Sequence, residues 1–317
     1  MTLAILLSGQ GGQHPGMFDL TADHRPAQDI FEAAKPLLGV DPRDLVRTGG
    51  PALHENRTGQ ILCCVAGLAA WTLLRDMNPG RIVLAGYSIG DLAAWGCAGR
   101  FSPSAIFHLA AARAEAMDAA AGPGHGLAGI RGLSRERVTA MIEDHGCHLA
   151  IVNAADSVVA GGTVADLELL CGTALAAGAA RAVVLPVHTP SHTPLLAAAS
   201  PRFRQELARS EILTPSRGGS SPPPRLLSGL DGAPVFDAAK GLDKLASALS
   251  RTIDWAACLD GIREAGARAV IELGPGHALA TMAREALPDA AVHAVADFRS
   301  IAGIEHWLRD NVETGRS

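Results

Sequence analysis

Gly86-Tyr87-Ser88-Ile89-Gly90 constrains this chain more than any other five residues in it. Arg81-Ile82-Val83-Leu84-Ala85, a β-prone apolar run, leads into it, and Asp91-Leu92-Ala93-Ala94-Trp95, a helix-forming run, leads out. A strand can turn this sharply into a helix only where Cβ atoms are missing, and the two glycines remove them. The serine between them is then carried on a tight turn with its Oγ exposed. The first amides of the helix point into the same space, where an oxyanion can be held. Strand, G-x-S-x-G, helix is the setting of a nucleophile elbow, so Ser88 is expected to act as a nucleophile at the end of a strand in an α/β sheet.

The order of elements along the chain supports that sheet. Thr2 to Leu7 reads as a strand, followed by the glycine-rich Ser8-Gly9-Gln10-Gly11-Gly12-Gln13. This loop matches neither G-x-x-x-x-G-K-[ST] nor G-x-G-x-x-G, so it reads better as one lending a backbone amide to Ser88 than as a phosphate cradle. Helical pieces broken by prolines follow, then a strong helix from Thr58 to Asp76. Ser102-Pro103 supplies an N-cap and a first-turn proline for a helix to about Ala121. After Gly122-Pro123-Gly124 the pattern becomes strand, helix, strand, strand, helix, strand, with the last strand from Arg181 to Val187. That βαββαβ order predicts a ferredoxin-like insert. Alternating strands and helices resume afterwards. The expected fold is therefore a parallel-sheet, α/β-hydrolase-like large domain, residues 1–122 and 189–317, interrupted by a ferredoxin-like small domain, residues 123–188. Pro215 to Pro224 is the one low-complexity stretch and is expected to be an exposed, mobile loop.

Composition narrows the function. Net charge is −5, which argues against a nucleic-acid partner. Lysine occurs only at Lys35, Lys240 and Lys244, so an anion site here is expected to use arginine, whose fork grips a carboxylate. The six cysteines form no C-x-x-C and lie in apolar runs, as buried free thiols of a reducing compartment do. No unbroken apolar run reaches the ~18 residues of a membrane span, and the N-terminus has no basic leader. The expectation is a cytoplasmic protein without membrane or metal.

A serine nucleophile needs a base, and twelve histidines are available. His192 lies in a turn bounded by Pro190 and Pro194, where a ring can be held rigidly, and His188 is the rival. No acidic residue stands in the position a standard α/β-hydrolase triad uses. Arg113 sits in an apolar helix, either paired with a neighbour such as Glu115 or Asp118 or waiting for a ligand.

Taken together, Gly9-Gln10-Gly11-Gly12-Gln13, Gly86-Tyr87-Ser88-Ile89-Gly90-Asp91, Arg113 at 25 residues beyond Ser88, Pro190-Ser191-His192 and Glu272-Leu273-Gly274-Pro275-Gly276 resemble the malonyl-CoA:acyl carrier protein transacylase family over nearly the whole length. The resemblance implies that Ser88 carries the acyl group, that His192 is its base, and that the amides of Gln10 and Ile89 form the oxyanion hole. It implies that Arg113 grips the malonyl carboxylate and that Gln60 and Asn153 lie near the site. It implies that the histidine is oriented by a main-chain carbonyl, placed here at Asp254, and that the reaction needs no cofactor beyond the CoA thioester substrate. The implied partner is an acyl carrier protein with a CoA-derived prosthetic group.

Three positions depart from the family's usual residues: Tyr87 replaces a histidine, Asp91 a glutamate, and the acidic Asp254 a residue that is often a neutral amide. Tyr87 and the run Gly90 to Gly96 look most like the epsilon subunit of malonate decarboxylase, which makes other subunits of that enzyme expected partners. The alternatives are a malonyl transferase of fatty-acid or polyketide synthesis, a thioester hydrolase, and a non-catalytic docking subunit.

Overall fold

The computed structural model describes residues 2–75, 77, 80–214 and 222–313. Of the low-complexity stretch, residues 215–221 lie outside the described residues. The strands are β1 (Thr2–Leu7), β2 (Arg81–Gly86), β3 (His125–Arg131), β4 (His148–Ala154), β5 (Ser157–Thr163), β6 (Arg181–Val184), β7 (Arg225–Leu226), β8 (Ile253–Asp254), β9 (Ala267–Leu273) and β10 (Ala291–Ala294).

Two five-stranded sheets result. The first runs β10-β9-β1-β2-β7, and every neighbouring pair is parallel. Its central strand β1 is buried on both faces, as a parallel sheet covered by helices requires. Leu3, Ile5 and Leu7 enter one core cluster, while Ala4 and Leu6 point to the other side. The helix Asn56–Arg75 runs through the first cluster, with fifteen of its twenty residues buried. By length and composition this helix could cross a membrane, yet 83% of its most apolar window is buried inside the fold.

The second sheet has the order β6-β3-β5-β4-β8. With the helices Arg135–Asp144 and Val164–Ala176, the segment from β3 to β6 follows the expected βαββαβ order. Its strands pair antiparallel, and Ala128, Ile130, Val158 and Ala160 face those helices. On its other face Leu127, Ile151 and Val159 join Ala4, Leu6 and Trp255 in one cluster, so the two sheets share a core.

Two details differ from the sequence reading. The strand expected to reach Val187 stops at Val184, two residues short of Pro186, which has no N–H to donate. The second sheet is also not closed by the insert alone. The two-residue strand β8, from the chain beyond it, pairs parallel with β4 through Ile151–Ile253 and Val152–Asp254.

Candidate active site

The elbow is built as its glycines require. A Cβ on Gly86 would lie 2.1 Å from the Gly90 carbonyl, and one on Gly90 would lie 2.1 Å from the Leu7 carbonyl oxygen. Ser88 caps the helix Ile89–Cys97 at φ 56° and ψ −116°. Among the described residues only Ser88 and His192 are non-glycine residues with positive φ. Strained backbone of this kind persists where the surrounding packing fixes it, and here it occurs at the two residues that meet.

His192 Nε2 lies 2.9 Å from Ser88 Oγ, and its Nδ1 lies 2.5 Å from the Ala248 carbonyl oxygen. A carbonyl only accepts, so Nδ1 carries the proton and Nε2 presents its lone pair to the serine. The turn is fixed by the His192 amide donating to the Leu249 carbonyl at 2.9 Å and by Thr193 Oγ1 donating to the Pro190 carbonyl at 2.7 Å. The ring is 1% exposed. Burial first, and the charge of Arg113 second, push its pKa down to about 3, so at neutral pH it is an uncharged base.

Arg113 is also buried, at 2% exposure, yet no carboxylate lies within ion-pair distance of it among the described residues. Glu115 instead pairs with Arg57 at 3.3 Å, and Asp118 accepts from Asn56 at 2.7 Å. Arg113 Nη1 donates to Gln60 Oε1 at 2.7 Å and reaches Met117 Sδ at 3.3 Å, while Nη2 donates to Ser88 Oγ at 3.3 Å. Gln60, itself anchored by donating to Asn56 Oδ1 at 2.7 Å, therefore aims the fork at the serine. Burial pushes the guanidinium down to about 10, opposed by the nearby Cys64 and Asp91, so it remains a cation at neutral pH.

The loop after β1 closes the remaining side. A Cβ on Gly9 would sit 3.0 Å from the Tyr87 carbonyl oxygen and 3.8 Å from Ser88 Cβ, which packs this loop against the elbow. Gln13 shapes the loop by accepting from the Gly11 amide at 2.6 Å and donating to the Leu53 carbonyl at 3.1 Å. Gly274-Pro275-Gly276 backs it, since a Cβ on Gly12 would lie 2.3 Å from the Pro275 carbonyl oxygen. Glu272 braces that turn, accepting from Ser8 Oγ and from the Ala280 amide at 2.7 Å each. Among the described residues the amides of Gln10 and Ile89 have no protein acceptor.

The acyl transferase domain family model matches residues 5–313. The chain belongs to that family. It is 31% identical over 314 residues to the malonyl CoA-acyl carrier protein transacylase of Mycobacterium bovis, covering 95% of this chain and 100% of that one. Its fold is similar to the acyl-carrier-protein S-malonyltransferase of Burkholderia pseudomallei, with TM-score 0.86, 29% identity, and 96% and 100% of the two chains covered. It is also similar to PlMCAT in the PlMCAT:AntF (holo) structure, described as a type II PKS acyl-carrier protein in complex with its malonyl-transacylase. There the TM-score is 0.88, the identity 25%, and the coverage 96% and 99%.

In this acyl transferase the structure brings His192 and Arg113 onto the Ser88 hydroxyl, with Gln60 on Arg113, Ile89 next to Ser88 in the chain, and the loop that carries Gln10 packed against the elbow. Asn153 lies on β4 across from the elbow and accepts a hydrogen bond from the Tyr87 hydroxyl at 3.1 Å. His188 is exposed, and the histidine at Ser88 Oγ is His192. Asp254 must be corrected, because the carbonyl that orients His192 belongs to Ala248. Asp254 is taken up by β8: its amide donates to the Leu230 carbonyl at 2.9 Å, and its carboxylate caps the helix Trp255–Glu264 at the Ala257 amide, 3.0 Å away. Met117 was also missed, although its place one helical turn after Arg113 was legible from spacing alone. Ala248 left no such signal, since every residue has a carbonyl. Among the described residues no cluster of three or more His, Cys, Asp or Glu could hold a metal ion.

Proposed function

We propose that the chain moves a malonyl group from malonyl-CoA, through a Ser88 ester, to the phosphopantetheine-type thiol of an acyl carrier protein. One observation carries this reading. A buried, charged guanidinium with no acidic partner among the described residues is aimed at the nucleophile, with Arg113 Nη2 3.3 Å from Ser88 Oγ. Leaving a cation unpaired in a protein interior costs several kcal/mol, and a ligand carboxylate held by two parallel N–H···O bonds offsets that cost.

The chemistry follows from the geometry. His192 Nε2 takes the proton of Ser88 as Oγ attacks the thioester carbonyl. The negative charge passes to the carbonyl oxygen, for which the Gln10 and Ile89 amides are the donors in this reading. The imidazolium is disfavoured by burial, so it forms only alongside that oxyanion and returns its proton to the departing thiolate. A second thiol then repeats the steps in reverse. Gln60 and Met117 position the arginine, and Ala248 fixes the imidazole tautomer. The relatives named malonyl CoA-acyl carrier protein transacylase support the same substrate pair.

A finer reading places the acceptor as the carrier subunit of malonate decarboxylase. It is favoured by Tyr87, which uses its hydroxyl to tie the elbow to Asn153. Charging that carrier and a fatty-acid-type carrier side by side discriminates the two acceptors.

The site assignment is tested by mass spectrometry after mixing with malonyl-CoA. A single malonyl adduct is expected at Ser88, and none in a folded Ser88→Ala protein. An adduct on another residue, or one that persists in the variant, rules the assignment out.

A further inference from the structure

Cys63 is fully covered, at 2% exposure, on the helix Asn56–Arg75, and its Sγ lies 3.3 Å from the Gly9 carbonyl oxygen. The Gly9 carbonyl and the Gln10 amide belong to one peptide group. The chain has no cis peptide bond among the described residues, so that C=O and N–H point in opposite directions. Whatever holds the carbonyl therefore sets where the amide points. Among the described residues the Gln10 amide has no protein acceptor, and the neighbouring Gly9 packs against Tyr87 and Ser88. We propose that Cys63 is a positioning residue for the oxyanion hole: its thiol proton, donated to the Gly9 carbonyl, aims the Gln10 N–H at the site where charge develops.

This inference rests on the reading of Ser88 as the acyl carrier. Burial raises the Cys63 pKa well above its ordinary value, so the sulfur keeps the proton the bond needs across the working pH range. A thiol is a weak donor, but this one is held on a helix with fifteen of its twenty residues buried. Other contacts to the loop do not hold this carbonyl. Gln13 grips Gly11 and Leu53, and the Gln10 side chain reaches the Asn56 carbonyl at 3.4 Å.

The test is the single-turnover rate of Ser88 acylation by malonyl-CoA, followed by rapid quench and mass spectrometry. The proteins compared are wild type, Cys63→Ala, Cys63→Ser and Cys171→Ala. Losing an oxyanion donor outright costs about 10²- to 10³-fold in rate, so a mis-aimed one should cost about tenfold. Cys63→Ala is expected to acylate about tenfold more slowly, with KM for malonyl-CoA and thermal midpoint close to wild type. Cys63→Ser, which keeps a donor, should recover most of the rate. Cys171→Ala, which removes a buried thiol from the helix Val164–Ala176 packed on the second sheet, should acylate normally. If Cys63→Ala does not fold, Cys63→Val restores the volume without a donor and takes its place. A donor-less variant that acylates at the wild-type rate overturns the proposal, as does a serine variant that is no better than alanine. A wild-type protein that forms no Ser88 adduct overturns the underlying reading instead, so the two failures are distinguishable.

Discussion

At the scale of single residues, Arg113 separates a structural from a substrate role. A buried arginine paired with protein carboxylates destabilises the fold when removed, because it leaves the opposite charge uncompensated. Arg113 has no such partner among the described residues, and the acceptors that lose a hydrogen bond when it goes, Gln60 Oε1, Met117 Sδ and Ser88 Oγ, are all uncharged. Arg113→Met fills most of the volume with an apolar chain, so its thermal midpoint should stay near that of wild type. Its kcat/KM for malonyl-CoA should fall by at least about 2 kcal/mol in activation free energy, the strength of charge-assisted bidentate bonds. Acetyl-CoA should be used no worse, and better wherever the unpaired charge had excluded it. Parallel kinetics on the two thioesters with melting curves check this. An equal loss on both, or an unfolded protein, returns Arg113 to a structural role. Ser88, His192 and Arg113 were legible in the sequence because only a few side chains can do their chemistry. The Ala248 carbonyl and the Cys63 thiol were not, since one is a group common to all residues and the other reads as ordinary core.

At the scale of elements, the elbow helix is tied to the turn after β7 by one buried acid. Asp91 accepts from the Gly229 amide at 2.9 Å with Oδ2, and its Oδ1 has no partner among the described residues. Burial pushes this carboxyl up to about 7, opposed by the Gly229 bond and by Arg113, while Asp231 adds to the rise. A carboxyl raised in the folded state binds more protons there than in the unfolded chain. Its stability contribution is therefore present below the ordinary carboxylate range and is lost as pH climbs through about 7. Asp91→Asn keeps an acceptor for Gly229 and cannot ionise. Its melting temperature relative to wild type should rise from pH 5 to pH 8, and a pH-independent difference sinks the idea. At this scale the sequence was a good guide to long elements. Strands β1, β2 and β9 and the helices around them follow from short, mostly apolar runs and from capping residues such as Ser102, whose side chain accepts from the Ala105 amide at 3.2 Å. Two-residue strands carry no periodicity, so β8 and its pairing with β4 were invisible.

At the scale of the whole molecule, the site is assembled from two bodies that share one core. Ser88, Arg113 and the Gln10 loop stand on the parallel-sheet side, while Asn153 stands on the second sheet. Between them, Tyr87 packs edge-on against Trp255 with ring centres 5.4 Å apart and donates its hydroxyl to Asn153 Oδ1 at 3.1 Å. The ring contact is apolar and non-directional, so it tolerates small sliding of the sheets. The hydroxyl bond does not, and it lies beside the nucleophile. Its net worth is about 0.5–1.5 kcal/mol, small for a chain of this size and large enough to govern how often the cleft opens to water. Tyr87→Phe keeps the ring and loses the bond. Acylation by malonyl-CoA should change little, because Ser88, His192 and Arg113 are held without it. Hydrolysis of the malonyl-enzyme should become about three- to tenfold faster, since that factor corresponds to the free energy of the lost bond at about 1.4 kcal/mol per tenfold. The decay of the purified Ser88 adduct in buffer, timed by mass spectrometry in both proteins, measures this directly. If the adduct lasts equally long in Tyr87→Phe, the Tyr87–Asn153 bond does not guard the ester, and exclusion of water must be assigned to the apolar contacts around Trp255.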